Sequence, residues 1–182
     1  MATRSGRAAL IALVAVLLIV GGAVWLAGPR PLGAAGPVKV VGSTAEASFA
    51  IGDMTVRQVR YVDRRELRYS FRLANLNLTP VWVSGLADGN ARPTLLRLKE
   101  ISPSGFLLGP YASRRVTLRM LMTDCERLSA RAGSLLHSVR IQMRVLGVAP
   151  RAATVDLPEA LRLSSAREAS CPRATSKSRS PG

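Results

Sequence analysis

Apolar and polar residues alternate with a period of two along most of the chain after residue 38. Every second side chain is apolar in residues 66–75 (ELRYSFRLAN), 114–121 (RRVTLRML) and 138–146 (SVRIQMRVL). This pattern is typical of a strand with one buried and one solvated face. Shorter strands are predicted at VKVV, MTVRQVRYV, VWVSGL, LLRLKEI and ATVDLP.

Segments rich in Gly, Pro, Asn and Asp separate these strands and predict turns. Only residues 125–136 (CERLSARAGSLL) have the composition for a helical turn or two. Seven or eight short strands joined by turns predict an all-β fold. The expected architecture is an antiparallel sandwich of the immunoglobulin or fibronectin type III kind.

A different pattern occupies the N-terminal end, where residues 8–27 form a continuous apolar or small run without a charge. This length matches a helix that crosses a bilayer and exceeds the apolar region of most signal peptides. We therefore expect a retained signal-anchor helix; the alternative is a cleaved signal that leaves a secreted protein. The resulting layout is a short cytoplasmic N-terminus at 1–7, the anchor at 8–27, a Gly/Pro/Ala linker at 28–37, the sandwich at 38–172 and a disordered basic tail at 173–182.

The flanks of the run predict its orientation. Arg4, Arg7 and the terminal amine precede it, while the basic residues that follow are more widely spaced. The positive-inside rule then leaves the N-terminus in the cytoplasm and the C-terminal domain outside the cell membrane.

The chain is strongly basic. It has 26 Lys and Arg residues and 11 Asp and Glu residues, which gives a formal net charge of +15. A basic extracytoplasmic domain can contact anionic lipid, an anionic wall polymer or an envelope protein. The predicted topology and the lack of a binding motif argue against a nucleic-acid partner.

Cys125 and Cys171 are the two cysteines of the chain. In an exported domain such a pair most often forms a disulfide, and this one would add on the order of 4 kcal/mol of stability in the loop-entropy account. The alternative is two unpaired thiols. With His137 as the single histidine, a Cys-His zinc site is ruled out, and we expect no metal and no cofactor.

No motif for nucleophilic, phosphate-binding or metal-dependent catalysis is present, so we infer that the chain is not an enzyme. His137 fits a structural or solvated histidine. The carboxylate pairs Asp63 with Glu66 and Asp124 with Glu126 are expected to form surface ion pairs or turn caps rather than an acid/base couple.

Strand parity singles out Arg68, Arg72, Arg140 and Arg144. If the apolar positions of residues 66–75 and 138–146 face the core, these four arginines face solvent. If the two segments take the third and sixth places of an immunoglobulin-like sandwich, they are neighbours in one sheet. The four arginines would then share one anion-binding face; the alternative is that they are separated, ion-paired or simply solvated.

The N-terminal anchor, the YSFRLANLNLTPVWV segment, the TDC after a strand and the final SCP together resemble small, uncharacterised, single-pass extracytoplasmic proteins of GC-rich bacteria with immunoglobulin-like domains. The resemblance covers about residues 38–172 and implies no activity. The leading hypothesis is therefore a membrane-anchored binding or interaction module of the cell envelope. The alternative is a structural or accessory subunit that positions its anchor helix beside another membrane protein.

Overall fold

The computed structural model describes residues 31–43, 46–90, 95–123, 134–145 and 150–164. The chain divides into two compact units, residues 1–31 and 32–182, and the description below concerns the second. The predicted anchor at 8–27, the predicted tail at 173–182 and the predicted bridge between Cys125 and Cys171 lie outside the described residues.

Every regular element of the described residues is a strand, which confirms the all-β prediction. The ten strands are β1 (Leu32–Val41), β2 (Glu46–Ile51), β3 (Met54–Arg60), β4 (Glu66–Asn75), β5 (Val81–Leu86), β6 (Leu96–Ser102), β7 (Phe106–Leu108), β8 (Ser113–Met122), β9 (Ser134–Val145) and β10 (Arg151–Ser164).

The strands form two sheets that pack as a β-sandwich. The four-stranded sheet has the order β1-β4-β8-β6, and the six-stranded sheet has the order β2-β3-β10-β9-β5-β7. Their inner faces supply one apolar core, in which Tyr69 and Phe71 of one sheet and Ile141 and Met143 of the other are almost fully buried. The parity prediction for β4 and β9 is thus confirmed.

Two expectations about the strands are wrong. The described residues hold ten strands rather than seven or eight, since the short β7 and the edge strand β2 carry too few alternating positions to be predicted. The sandwich is not wholly antiparallel, because β10 pairs with β3 in parallel. Of residues 125–136, which could hold a helical turn or two, residues 134–136 belong to β9 and residues 125–133 lie outside the described residues.

The linker predicted at 28–37 is also wrong from Leu32 onward, where β1 begins and pairs with β4. Gly36 and Pro37 suggested a linker because they weaken regular strands. Both are tolerated here because β1 lies at a sheet edge and its register shifts between Ala35 and Lys39, where Gly36 adopts a φ of 84°.

A polar contact joins the two sheets inside the core. The Tyr69 hydroxyl donates to the carbonyl oxygen of Glu159 at 2.6 Å, and the Glu159 amide donates back to the hydroxyl at 3.3 Å. Glu159 lies where the pairing of β10 with β9 shifts register between Asp156 and Leu161. Burial raises the pKa of Tyr69, so the hydroxyl stays protonated and acts as the donor.

Candidate functional site

Two loops that run between the sheets form one end of the sandwich. Residues 76–80 join β4 to β5, and residues 109–112 join β7 to β8. The Tyr111 amide donates to the Asn77 carbonyl at 3.3 Å, so the loops lie side by side. β1 begins at the same end, because Leu32 is the strand partner of Asn75.

Asn75 holds these loops together from within and is 1% exposed. Its side-chain amide donates to the carbonyls of Thr79 at 2.8 Å, Leu108 at 3.2 Å and Gly109 at 2.9 Å. Its side-chain oxygen accepts from the Asn77 amide at 3.0 Å. One buried side chain therefore satisfies the backbone of both loops, as burial of polar loop backbone requires.

The surface of this end is unusually apolar. Eight large hydrophobic side chains are exposed among the described residues, and five of them lie in these loops or at the adjoining ends of β5 and β7. We name this set the apolar pole; its members are Leu76 (46% exposed), Leu78 (75%), Trp82 (43%), Leu107 (53%) and Tyr111 (66%). Exposed apolar side chains gathered at one end of a domain mark interaction surfaces more often than scattered ones do.

Strand pairing explains how two members of the apolar pole meet. Trp82 lies directly opposite Leu107 on the outer face of the six-stranded sheet. A Cβ atom on Gly105 would lie 3.7 Å from the Trp82 ring, so the β6–β7 loop also borders the indole. Trp82 is fixed at an exposed position within the sheet rather than on a strand edge.

Arginines lie on both sheets near the apolar pole. Arg144 is the strand partner of Trp82, and Arg72 and Arg115 lie opposite each other on β4 and β8. The Arg114 guanidinium lies 4.8 Å from the centre of the Phe106 ring, a cation–π distance. We name Arg72, Arg114, Arg115 and Arg144 the basic collar.

The four arginines predicted to share one face do not share it. Arg68 and Arg72 are on β4 of the four-stranded sheet, whereas Arg140 and Arg144 are on β9 of the six-stranded sheet. The error has a simple cause: alternation reveals which side chains point outward but not which strand is the neighbour. The strand that pairs with β9 is β5, not β4.

Two of these arginines have structural partners. The Arg140 guanidinium donates to the Asp88 carbonyl at 3.0 Å, and its backbone exchanges hydrogen bonds with the Asn90 side chain, so Arg140 holds the 87–90 turn. Arg68 forms an ion pair with Glu66 at 2.8 Å. Arg72 and Arg144 make no ion pair within the described part of the chain.

Glu66 is shared by two arginines that face each other across the β4–β8 pair. Arg119 lies opposite Arg68 and also contacts Glu66, at 2.7 Å, as well as Glu100. The hydrogen bond from Arg119, and then that from Arg68, lowers the pKa of Glu66 to about 2. The prediction that Asp63 and Glu66 serve in surface ion pairs is confirmed, since Asp63 contacts Arg64 and accepts from the Tyr61 hydroxyl.

The remaining candidates show no assembled chemistry. His137 is exposed on β9, and Asp124 and Glu126 lie outside the described residues. Over the ranges that the structure describes, no three His, Cys, Asp or Glu side chains gather as a metal site. Within those same ranges no helix has the length and hydrophobicity to cross a membrane.

Comparisons with known proteins add little to this description. No protein-family model and no curated protein match the chain. Among solved structures, it is similar to the crystal structure of the cupredoxin domain of amoB from Nitrosocaldus yellowstonii, at 14% identity and a TM-score of 0.25. The match covers 59% of this chain and 64% of that chain, which is less than two thirds of its length.

Proposed function

We propose that the protein is a membrane-anchored interaction module of the cell envelope, whose extracytoplasmic sandwich binds rather than catalyses. The observation that carries this proposal is the apolar pole with its basic collar. Five exposed apolar side chains lie at one end of the sandwich, in the two loops that a buried asparagine orders or at the adjoining ends of β5 and β7. Such a surface loses little conformational entropy when it binds, since its backbone is already arranged.

We further propose that the sandwich is of the immunoglobulin-like type. In those domains strands A, B, E and D form one sheet, and C, F and G are neighbours in the other. The sheet order β1-β4-β8-β6 agrees with the first, and β10-β9-β5 agrees with the second. The chain departs from the type between β6 and β8, where β7 crosses to pair with β5.

Retention of the anchor is the first prediction. We expect the exported protein to keep residues 8–27, because the run is long and uncharged and a good cleavage site does not follow it. Mass spectrometry of the protein purified from membranes should return the N-terminal residues. A mature N-terminus at or beyond Gly28 in the exported pool would contradict the anchor.

Binding through the apolar pole is the second prediction. We expect a photo-crosslinking amino acid at Leu78 to capture an envelope component in intact cells, because that side chain, at 75% exposed, is the most exposed member of the apolar pole. The matched control is the same amino acid at Val41, which is 49% exposed where β1 ends, away from the apolar pole.

The crosslinking yields at positions 78 and 41 test whether the protein is an interaction module. Crosslinking to lipid or protein at position 78 well above that at position 41 supports the interaction module. Equal or absent capture at both positions contradicts it and favours an accessory role for the anchor alone.

A further inference from the structure

We propose that the apolar pole binds the surface of a lipid bilayer, with the basic collar on anionic headgroups. This inference rests on the proposed function, of which it names the partner. The partner is thus a bilayer that contains anionic lipid.

The side chains of the apolar pole suit a bilayer surface. Leu78 and Tyr111 are the most exposed members of the apolar pole, and both stand on loops rather than on a flat sheet face. Tyr111 and Trp82 combine an apolar ring with a polar group, the combination that is enriched where membranes meet water. Loops with apolar tips can enter the headgroup layer while the sheets remain in solvent.

Charge supplies an independent argument, because β4 and β8 contain two pairs of directly opposed arginines. In one pair, Arg68 and Arg119 are neutralised by Glu66 and Glu100. In the other, Arg72 and Arg115 have no ion pair among residues that the structure describes.

Only the second pair belongs to the basic collar. Like charges directly opposite each other destabilise a sheet, so this pair lacks an acid where the fold itself would benefit from one. None of the described Asp and Glu residues lies in loops 76–80 or 109–112 or faces the basic collar across a strand pair. Anionic headgroups would supply the missing charge.

Depth-dependent fluorescence quenching tests the contact in the full-length chain. Trp25→Phe and Trp82→Phe remove the native fluorophores, and Leu78→Trp then places a single indole at the apolar pole. The matched control is Val41→Trp in the same background. Both proteins are reconstituted into vesicles of phosphatidylglycerol and phosphatidylcholine whose acyl chains carry bromine or do not, at less than one chain per vesicle.

We expect brominated lipid to quench the indole at position 78 at least about twofold more than the indole at position 41, because only the former reaches the acyl boundary. Exchange of Arg72 and Arg115 for serine, or use of phosphatidylcholine alone, should reduce quenching at position 78 and leave position 41 unchanged. Circular dichroism checks that each variant keeps its β-sheet.

Two results would overturn the inference. One is equal quenching at both positions, and the other is quenching at position 78 that appears only at high protein-to-lipid ratio, which would assign the apolar pole to a second copy of the chain. Failure of the anchor is distinguished separately, since a chain without a membrane span is extracted from the vesicles by alkaline carbonate. Retention in the vesicles without quenching at position 78 leaves the interaction module intact and refutes only its lipid partner.

Discussion

Replacement of Asn75 by alanine should lower the free energy of unfolding by about 3 to 4 kcal/mol, since it removes several hydrogen bonds and leaves carbonyl groups without donors. The side-chain amide of this residue donates to Thr79, Leu108 and Gly109, all within 3.2 Å, at a site that is 1% exposed. Urea denaturation of the detergent-solubilised chain, followed by circular dichroism, measures the change.

Asn77→Ala is the matched control for this substitution. Asn77 lies two positions further on, in the β4–β5 loop, but its contacts with Asn75 and Tyr111 are made by its backbone. We expect its loss to change stability by less than about 0.5 kcal/mol. Similar losses from both substitutions would show that Asn75 does not organise the apolar pole.

Gly42→Ala should destabilise the protein by about 3 kcal/mol or more, because the new methyl group would overlap backbone in a left-handed conformation. Gly42 follows β1 with a φ of 106°, and a Cβ atom there would collide with the carbonyl oxygen of Glu66 on β4. The strand that leads into the sandwich would have to move away from its partner. Thermal or urea unfolding measures the loss.

Gly52→Ala distinguishes backbone strain from the steric collision as the cause of the loss at Gly42. Gly52 also has a positive φ, at 57°, but its missing Cβ atom would meet nothing within 4 Å. We expect a loss of about 1 kcal/mol, from backbone strain alone. Equal destabilisation by the two substitutions would rule out the collision as the dominant effect at Gly42.

Alternation predicted the buried and exposed faces of β4 and β9 because it depends on the geometry of one strand. It could not predict sheet membership, since pairing brings together residues far apart in sequence. The exposed positions of Arg68 and Arg144 were therefore predicted correctly, while their common face was wrong.

The apolar pole was missed for a related reason. Residues 76–80 have the composition of a turn. From that composition alone, the polar Asn75 is expected to be exposed and the apolar Leu78 to be buried, whereas the structure shows the reverse. Leucines at alternate positions within this polar turn could have indicated the surface. A loop that only connects strands usually carries polar residues at its exposed positions. Two partners of Asn75, the carbonyls of Leu108 and Gly109, lie more than thirty positions away on β7 and in the loop after it, and no local pattern encodes them.

The parallel pairing of β3 with β10 determines when folding can be completed. Val56 and Ala160 are strand partners although about a hundred positions separate them. β3 and β2 reach the rest of their sheet only through β10, so this sheet closes after β10 has been synthesised. A chain made from its N-terminal end therefore passes through a long interval in which the edge of β3 is unpaired, and such high contact order makes folding slow. Protection of that edge becomes a requirement of biogenesis, separate from any contact that the finished domain makes.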